Sequence, residues 1–179
     1  MSIKFFVFVY GTLKIGEPNH YWLDKNPKGS YKFICNAETI EKYPLVVETQ
    51  YHVPFLLHKP GTGHYVKGEL YEVDEKVLAN LDILEEHPTI YEREEKIVKR
   101  VDTQETTKAW IYFKKKFRTE LLDLPLLEKY TNKDQGYSYV SRERRYYNLL
   151  SVFTFIHLLL FLGKLNCLIC CNYNKGNFN

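Results

Sequence analysis

Apolar and polar positions fall into short blocks along this chain, and most of the blocks predict strands. Residues 3–10, IKFFVFVY, form an apolar run rich in Phe and Val, interrupted only by Lys4. Such a run predicts a strand buried on both faces rather than one with a wet side. Gly11 ends it, and PNHYWL then predicts a short helix starting near Pro18, where a proline ring fits a first helical turn. After a Lys/Gly/Ser turn at 25–30, YKFICNAETIEKYPLVVET holds two short strand-like pieces, the second around residues 45–47 just after Pro44. HVPFLLHKPGTGHYVKGELYEV adds two more around KPGTGH, whose Pro-Gly pair and second Gly are turn signals. Within it, residues 66–73 alternate well enough for a strand with one wet face.

One helix stands out. Asp74 has the chemistry of an N-cap, and Val77, Leu78 and Leu81 follow at three- and four-residue steps, so DEKVLANLDILEE predicts an amphipathic helix. Pro88 is expected to stop it, because the residue before a proline is pushed out of helical geometry. YEREEKIVKRV and TKAWIYFKKKF predict two further strands across a polar turn at 102–107, and from Glu120 a helical and loop-rich stretch runs to GYSYVSRERRYYN. No repeats occur. Many strands of moderate length with glycine turns and one marked helix predict an α+β fold, a small mixed β-barrel with flanking helices, rather than a doubly wound sheet.

Composition narrows the class. At 179 residues the chain predicts one domain, burying roughly 70% of the surface its unfolded form exposes. Apolar residues at 45% and charged residues at 26% exclude intrinsic disorder for most of it. The net charge of +3 arises from mixed signs. Its densest basic stretches, Lys114, Lys115, Lys116 with Arg118 and Arg142, Arg144, Arg145, come without a recognition helix, zinc finger or RNP-type pattern, so no nucleic-acid partner is expected. Four cysteines are too few and too badly spaced for a disulfide framework, which fits a reducing compartment and a cytoplasmic location. The C-x-x-C-C at Cys167, Cys170 and Cys171 lacks a second Cys/His pair, so no metal site is expected.

Composition changes sharply at Leu149, where LLSVFTFIHLLLFLG runs 15 residues without a charge before Lys164. The expected division is therefore a domain over 3–148 and a hydrophobic, helix-prone C-terminal extension over 149–179. Spanning a bilayer takes about 20 apolar residues, a length reached here only by including Lys164. Residues 149–171 thus offer a membrane contact, with the arginines upstream keeping the domain cytosolic and the cysteines as acylation points. A helix packed on the domain and a functionless end stay open beside that tail-anchored alternative.

Two features carry candidate chemistry. Glu85 shares a helix face with Leu78 and Leu81, so its carboxylate leans toward the apolar side, where lost solvation raises a carboxyl pKa and suits a general base near neutral pH. Periodicity alone equally allows Asp82, Glu85 and Glu86 to be the wet face of the helix. At the other feature, a strand ending in Tyr10-Gly11-Thr12 leaves backbone N–H groups able to converge as an anion cradle, although an ordinary turn has the same signature. The histidines lie scattered in loops and strands with no serine elbow or cysteine beside them, and Cys35 reads as a small core residue.

VFVYGTLKIGEPNHYWL, YPLVVETQYHVPFLLHKPGTGHYVKGELYEVDE and LDILEEHPTIYER, in that order and spacing, resemble the gamma-glutamylamine cyclotransferases, relatives of the plant avirulence-induced proteins and of the gamma-glutamyl cyclotransferases. The likeness covers residues 3 to about 148. It implies a gamma-glutamylcyclotransferase-like fold built round a β-barrel with the active site at a barrel mouth. It also implies substrate binding by the loop of Tyr10, Gly11, Thr12 and Leu13, and catalysis by Glu85 as acid/base. The implied reaction closes the γ-glutamyl group of a small molecule such as γ-glutamyl-ε-lysine to 5-oxoproline and releases the amine. No cofactor is expected, and the chain holds no P-loop, dinucleotide-binding G-x-G-x-x-G or H-E-x-x-H. Two alternatives stand beside it: the same cyclisation on γ-glutamyl amino acids or glutathione, and a non-catalytic, membrane-tethered binding module. Oligomeric state is not legible.

Overall fold

The architecture comes from a computed structural model that describes residues 3–145 apart from 26, 49, 134, 135, 137, 142 and 143. Among them the elements run β1 (Lys4–Val9), a 3-10 turn (His20–Asp24), β2 (Tyr31–Tyr43), β3 (Leu45–Glu48), β4 (Val53–Leu56), β5 (His64–Asp74), α1 (Glu75–Leu84), β6 (Glu92–Arg100), β7 (Thr106–Phe113) and a second 3-10 turn (Thr119–Asp123). Five strands close into a barrel in the order β1-β5-β2-β6-β7. All neighbours are antiparallel except β1 and β7, which meet in parallel at Val7 and Trp110. The hairpin β3-β4 stands apart as its own two-stranded sheet, joined to the rest by bridges from Leu45 to Leu127 and from Leu57 to Lys114.

Side chains of β1 alternate between two cores, as strand geometry requires. Phe8 and Tyr10 join the barrel interior with Leu70, Ile111 and Phe113, while Val7 and Val9 join a second cluster with Val77, Leu81 and Leu84 of α1. Two-sided burial therefore holds, but only from Val7 onward. Phe6, on the interior side of the strand, is 37% exposed, and Lys4 is exposed, so the barrel is filled from Phe8 inward. The four apolar residues that α1 buries contribute on the order of 6–12 kcal/mol, which outweighs its propensity.

The expected helix cap is present: the Val77 amide donates to Asp74 Oδ1 at 3.0 Å, and the Ser30 amide donates to Oδ2 at 2.7 Å. The Val77 bond, helped by those from Ser30, holds the Asp74 carboxyl below its usual range. The helix stop differs from expectation. It ends at Leu84, with the Glu85 N–H donating to Leu81 O at 2.9 Å, and Glu86 then turns the chain in left-handed geometry at φ 48°. The reversal is made by Glu86, two residues before Pro88. β2 is likewise one strand of 13 residues rather than a short piece, because register shifts at Phe33/Cys35 and Glu38/Lys42 let it bend and stay paired. The helical stretch expected from Glu120 is only the second 3-10 turn, and Leu127 beyond it is tied to β3.

Residues 140–179 form a second compact unit, of which Val140, Ser141, Arg144 and Arg145 are described; Arg145 N–H donates to Ser141 O at 3.1 Å. The hydrophobic extension at 149–179 lies outside the described residues. Among those described, no helix is long and apolar enough to cross a membrane.

Closing the barrel needs β1 and β5 to approach tightly at Gly68. A Cβ there would stand 2.4 Å from Val9 O and 2.7 Å from the Phe8 ring. Gly68→Ala is expected to destabilise the fold by about 1–3 kcal/mol through strain, measured as a lowered urea midpoint with an unchanged slope.

Candidate active site

Tyr10 closes the last buried turn of the barrel wall. Its ring is buried, its hydroxyl donates to Tyr112 O at 2.8 Å, and a backbone hydrogen bond from Leu56 reaches the same oxygen. Burial first, and then the charge of Glu85, push the Tyr10 ionisation well above the ordinary phenol range. The structure thus brings Glu85 and Tyr10 together, although 75 positions separate them in the sequence. The same carboxylate also acts on Tyr112, whose ionisation is raised by burial, by its hydrogen bond to Asp82 and then by Glu85.

Gly11, Thr12 and Leu13 follow, all buried. The carbonyls of this loop are used by the protein. Gly11 O accepts from Lys14 N at 3.3 Å, Thr12 O from Asn19 N at 2.9 Å, and Leu13 O bonds the His20 Nδ1 at 2.9 Å. Among the described residues no backbone or side-chain acceptor takes the N–H groups of Gly11, Thr12 or Leu13. The sheet explains why. The β1-β5 ladder ends at Val9 and Glu69, and beyond it the β5 edge is given to another segment, with Lys67 N donating to Glu128 O at 2.8 Å. Buried amides of this kind are donors in search of an acceptor, and three in a row suit a carboxylate or an oxyanion. Gly11 is required for the approach of hairpin β3-β4, since a Cβ would lie 2.9 Å from Pro54 Cγ.

Glu85 is half-buried at the end of α1, whereas Glu86 is exposed. The third acid of that turn, Asp82, is occupied: Tyr112 Oη donates to Oδ1 at 2.6 Å, and Arg93 forks onto the carboxylate from Nε at 2.8 Å and Nη2 at 3.1 Å. Of the three acids of that turn, Asp82 is in an ion pair, Glu86 is exposed, and half-buried Glu85 acts on Tyr10 and Tyr112.

The loop is also strapped from behind by residues 130–139. Buried Lys14 donates its ammonium to Tyr130 O, and burial lowers its pKa. Buried Asn19 donates from Nδ2 to Thr12 Oγ1 at 2.9 Å and to Tyr139 Oη at 2.9 Å, and the Asn132 amide donates to the Glu17 carboxylate at 3.3 Å. A cavity of about 330 Å³ opens along this strap between Lys14, Glu17, Lys67, Glu69 and Lys129. Neither Glu85 nor Tyr10 lines it, and its Lys14, Glu17, Lys67 and Glu69 charges are engaged with the protein. Sequence reading passed over Asp82, Arg93, Tyr112, Lys14 and Asn19. Asp82 alone had a visible cue, its place three residues before Glu85.

The chain belongs to the gamma-glutamyl cyclotransferase, AIG2-like family, whose pattern matches residues 7–134. It is 43% identical over 144 residues to gamma-glutamylaminecyclotransferase C of Danio rerio, spanning 78% of this chain and 95% of that one. A Drosophila melanogaster protein provisionally named a gamma-glutamylcyclotransferase is 48% identical over 126 residues, 70% of this chain and 80% of that one. The crystal structure of an AIG2-like protein from Mus musculus superposes with a TM-score of 0.74 at 36% identity, covering 78% of this chain and 97% of that one.

Asn19→Ala removes the bond to Tyr139 in the strap and the bond to Thr12 within the loop, leaving the Thr12 hydroxyl without that donor. A loss of about 1–3 kcal/mol is expected, measured by thermal unfolding, together with faster amide exchange confined to residues 11–19.

Proposed function

We propose that the protein is a cofactor-free gamma-glutamylamine cyclotransferase acting on γ-glutamyl-ε-lysine, with Glu85 as general acid/base and the loop of Tyr10, Gly11, Thr12 and Leu13 as the substrate cradle. The observation that carries the reading is the charge of Glu85 felt at Tyr10, immediately before three buried residues whose amides meet no acceptor among the described residues. Glu85 takes a proton from the substrate α-ammonium, and the freed amine attacks the γ-carbonyl carbon. A five-membered ring forms, with negative charge on the former carbonyl oxygen. As that charge collapses, the bond to the second nitrogen breaks, and Glu85 returns its proton to the departing amine. The ring nitrogen still carries one proton too many and loses it through Glu85 to the released amine, so the products are 5-oxoproline with a single lactam N–H and lysine with its ε-ammonium, and every proton is placed.

The amides of Gly11 to Leu13 grip either the α-carboxylate or the developing oxyanion, and Tyr10 walls the pocket. Folding the substrate back on itself accounts for much of the rate, since well-oriented intramolecular pairs reach effective molarities of order 10⁵ M or more. The Danio rerio relative is named for this activity. We place the domain over 3–148 in the cytoplasm and keep 149–179 as an extension whose membrane contact is a separate matter. Release of the full chain from membranes by carbonate would exclude an integral tail anchor.

Incubating the full chain with γ-glutamyl-ε-lysine, γ-glutamyl-alanine and glutathione separates the substrate readings. Release of 5-oxoproline is expected from the first, release from the others alone would move the substrate within the same chemistry, and inertness to all three would leave a binding module. Glu85→Gln is expected to lower turnover by at least ~10²-fold and to remove the acid limb of the pH profile, on which activity rises as the base loses its proton. Glu86→Gln should leave turnover close to wild type.

A further inference from the structure

We infer that Asp82 is a positioning residue for this reaction: together with Arg93 and Tyr112 it sets where Glu85 stands against Tyr10. The inference rests on the role proposed for Glu85.

Three donors converge on one carboxylate that is only partly exposed. Tyr112 Oη at 2.6 Å and Arg93 Nε at 2.8 Å share Oδ1, and Arg93 Nη2 reaches Oδ2 at 3.1 Å. A forked guanidinium fixes direction as well as charge. Arg93 is itself oriented from below, with its guanidinium carbon 4.6 Å from the Trp110 ring centre. Since Arg93 lies on β6 and Tyr112 on β7, the carboxylate pins the last turn of α1 to two adjacent barrel strands.

The backbone of Asp82 works on the other side of Glu85. Its carbonyl accepts from His87 N at 2.9 Å, so the turn after the helix closes onto the same residue. Glu85 is therefore held before and behind by Asp82, while Tyr112 runs as a strut between the two halves of the site. The strut's carbonyl takes the Tyr10 hydroxyl at 2.8 Å, and its hydroxyl is committed to Asp82. A phenol carries one proton, so with this one given to Asp82 the Tyr112 hydroxyl does not donate to Glu85. Displacing a catalytic group by about 1 Å is enough to cost ~10²-fold in rate, which is why this anchoring affects the chemistry and not stability alone.

The test measures kcat, KM and melting temperature of the full chain on γ-glutamyl-ε-lysine for Asp82→Asn and Tyr112→Phe, each alone and combined with Glu85→Gln. Alone, each is expected to lower kcat by about 10- to 10²-fold with KM changed less than about threefold. Combined with Glu85→Gln, each should lower the residual turnover by less than about twofold, because a residue acting through Glu85 then has nothing to act on. Equal losses in both backgrounds, or a lowered melting temperature with kcat intact, would overturn the inference. If Asp82→Asn fails to fold, Tyr112→Phe, which removes a single oxygen, decides. Full turnover by Glu85→Gln alone would remove the role of Glu85 itself, and the positioning role with it.

Discussion

The end of β1 is the constraint on which this site depends. Val9 makes the last ladder pair with β5, and one residue later the Tyr10 ring is inside the barrel with its hydroxyl bonded at Tyr112 O. A buried phenol that loses such partners costs about 1–3 kcal/mol, so the chain is not free to slide. The strand cannot lengthen either, because the next stretch of the β5 edge is paired with Glu128. Among the described residues the amides of Gly11, Thr12 and Leu13 thus find no partner, in a buried place where an unmade hydrogen bond is costly. On the function proposed above, a ligand acceptor relieves that cost.

The second half of the site is delivered by a different device. α1 follows β5 without a loop, since Asp74 is both the last residue of the strand and the N-cap of the helix. Ten residues later the helix ends over β1, held by Leu81 and Leu84 in the same cluster as Val7 and Val9. The packing that stabilises the helix is therefore the packing that carries Glu85 to Tyr10. A left-handed turn at Glu86 then leads the chain away, so the two neighbouring glutamates meet opposite environments. The polar strap from Lys14 and Asn19 to residues 130–139 completes the arrangement, and it explains why a small protein buries an ammonium and an amide in a loop.

Periodicity located the elements themselves. The apolar run at residues 3–10, the Asp74 cap and the helix stripe at Val77, Leu78 and Leu81 are local facts, written within a few residues of one another, and each appears in the fold. The candidate residues Tyr10, Gly11, Thr12, Leu13 and Glu85 came from spacing and from the likeness of three separated motifs. Less was legible where the cause is remote. The length of β2 depends on bulges made against β5, and the helix ends at Leu84 with the reversal at Glu86 rather than at Pro88.

What the chain determined by itself is therefore the order of strands and helix, the glycine break after β1 and the presence of an acid on the apolar side of α1. These follow from side-chain period and backbone freedom, which act over a turn or two. Only the folded structure gave Asp82 its partners, because Arg93 and Tyr112 are brought to it from β6 and β7 by barrel closure. The same closure decides that the β5 edge beyond Glu69 pairs with Glu128 and not with the loop after β1, a property of which strand reaches which edge. Long-range pairing decides such matters, and no local pattern in the sequence encodes it.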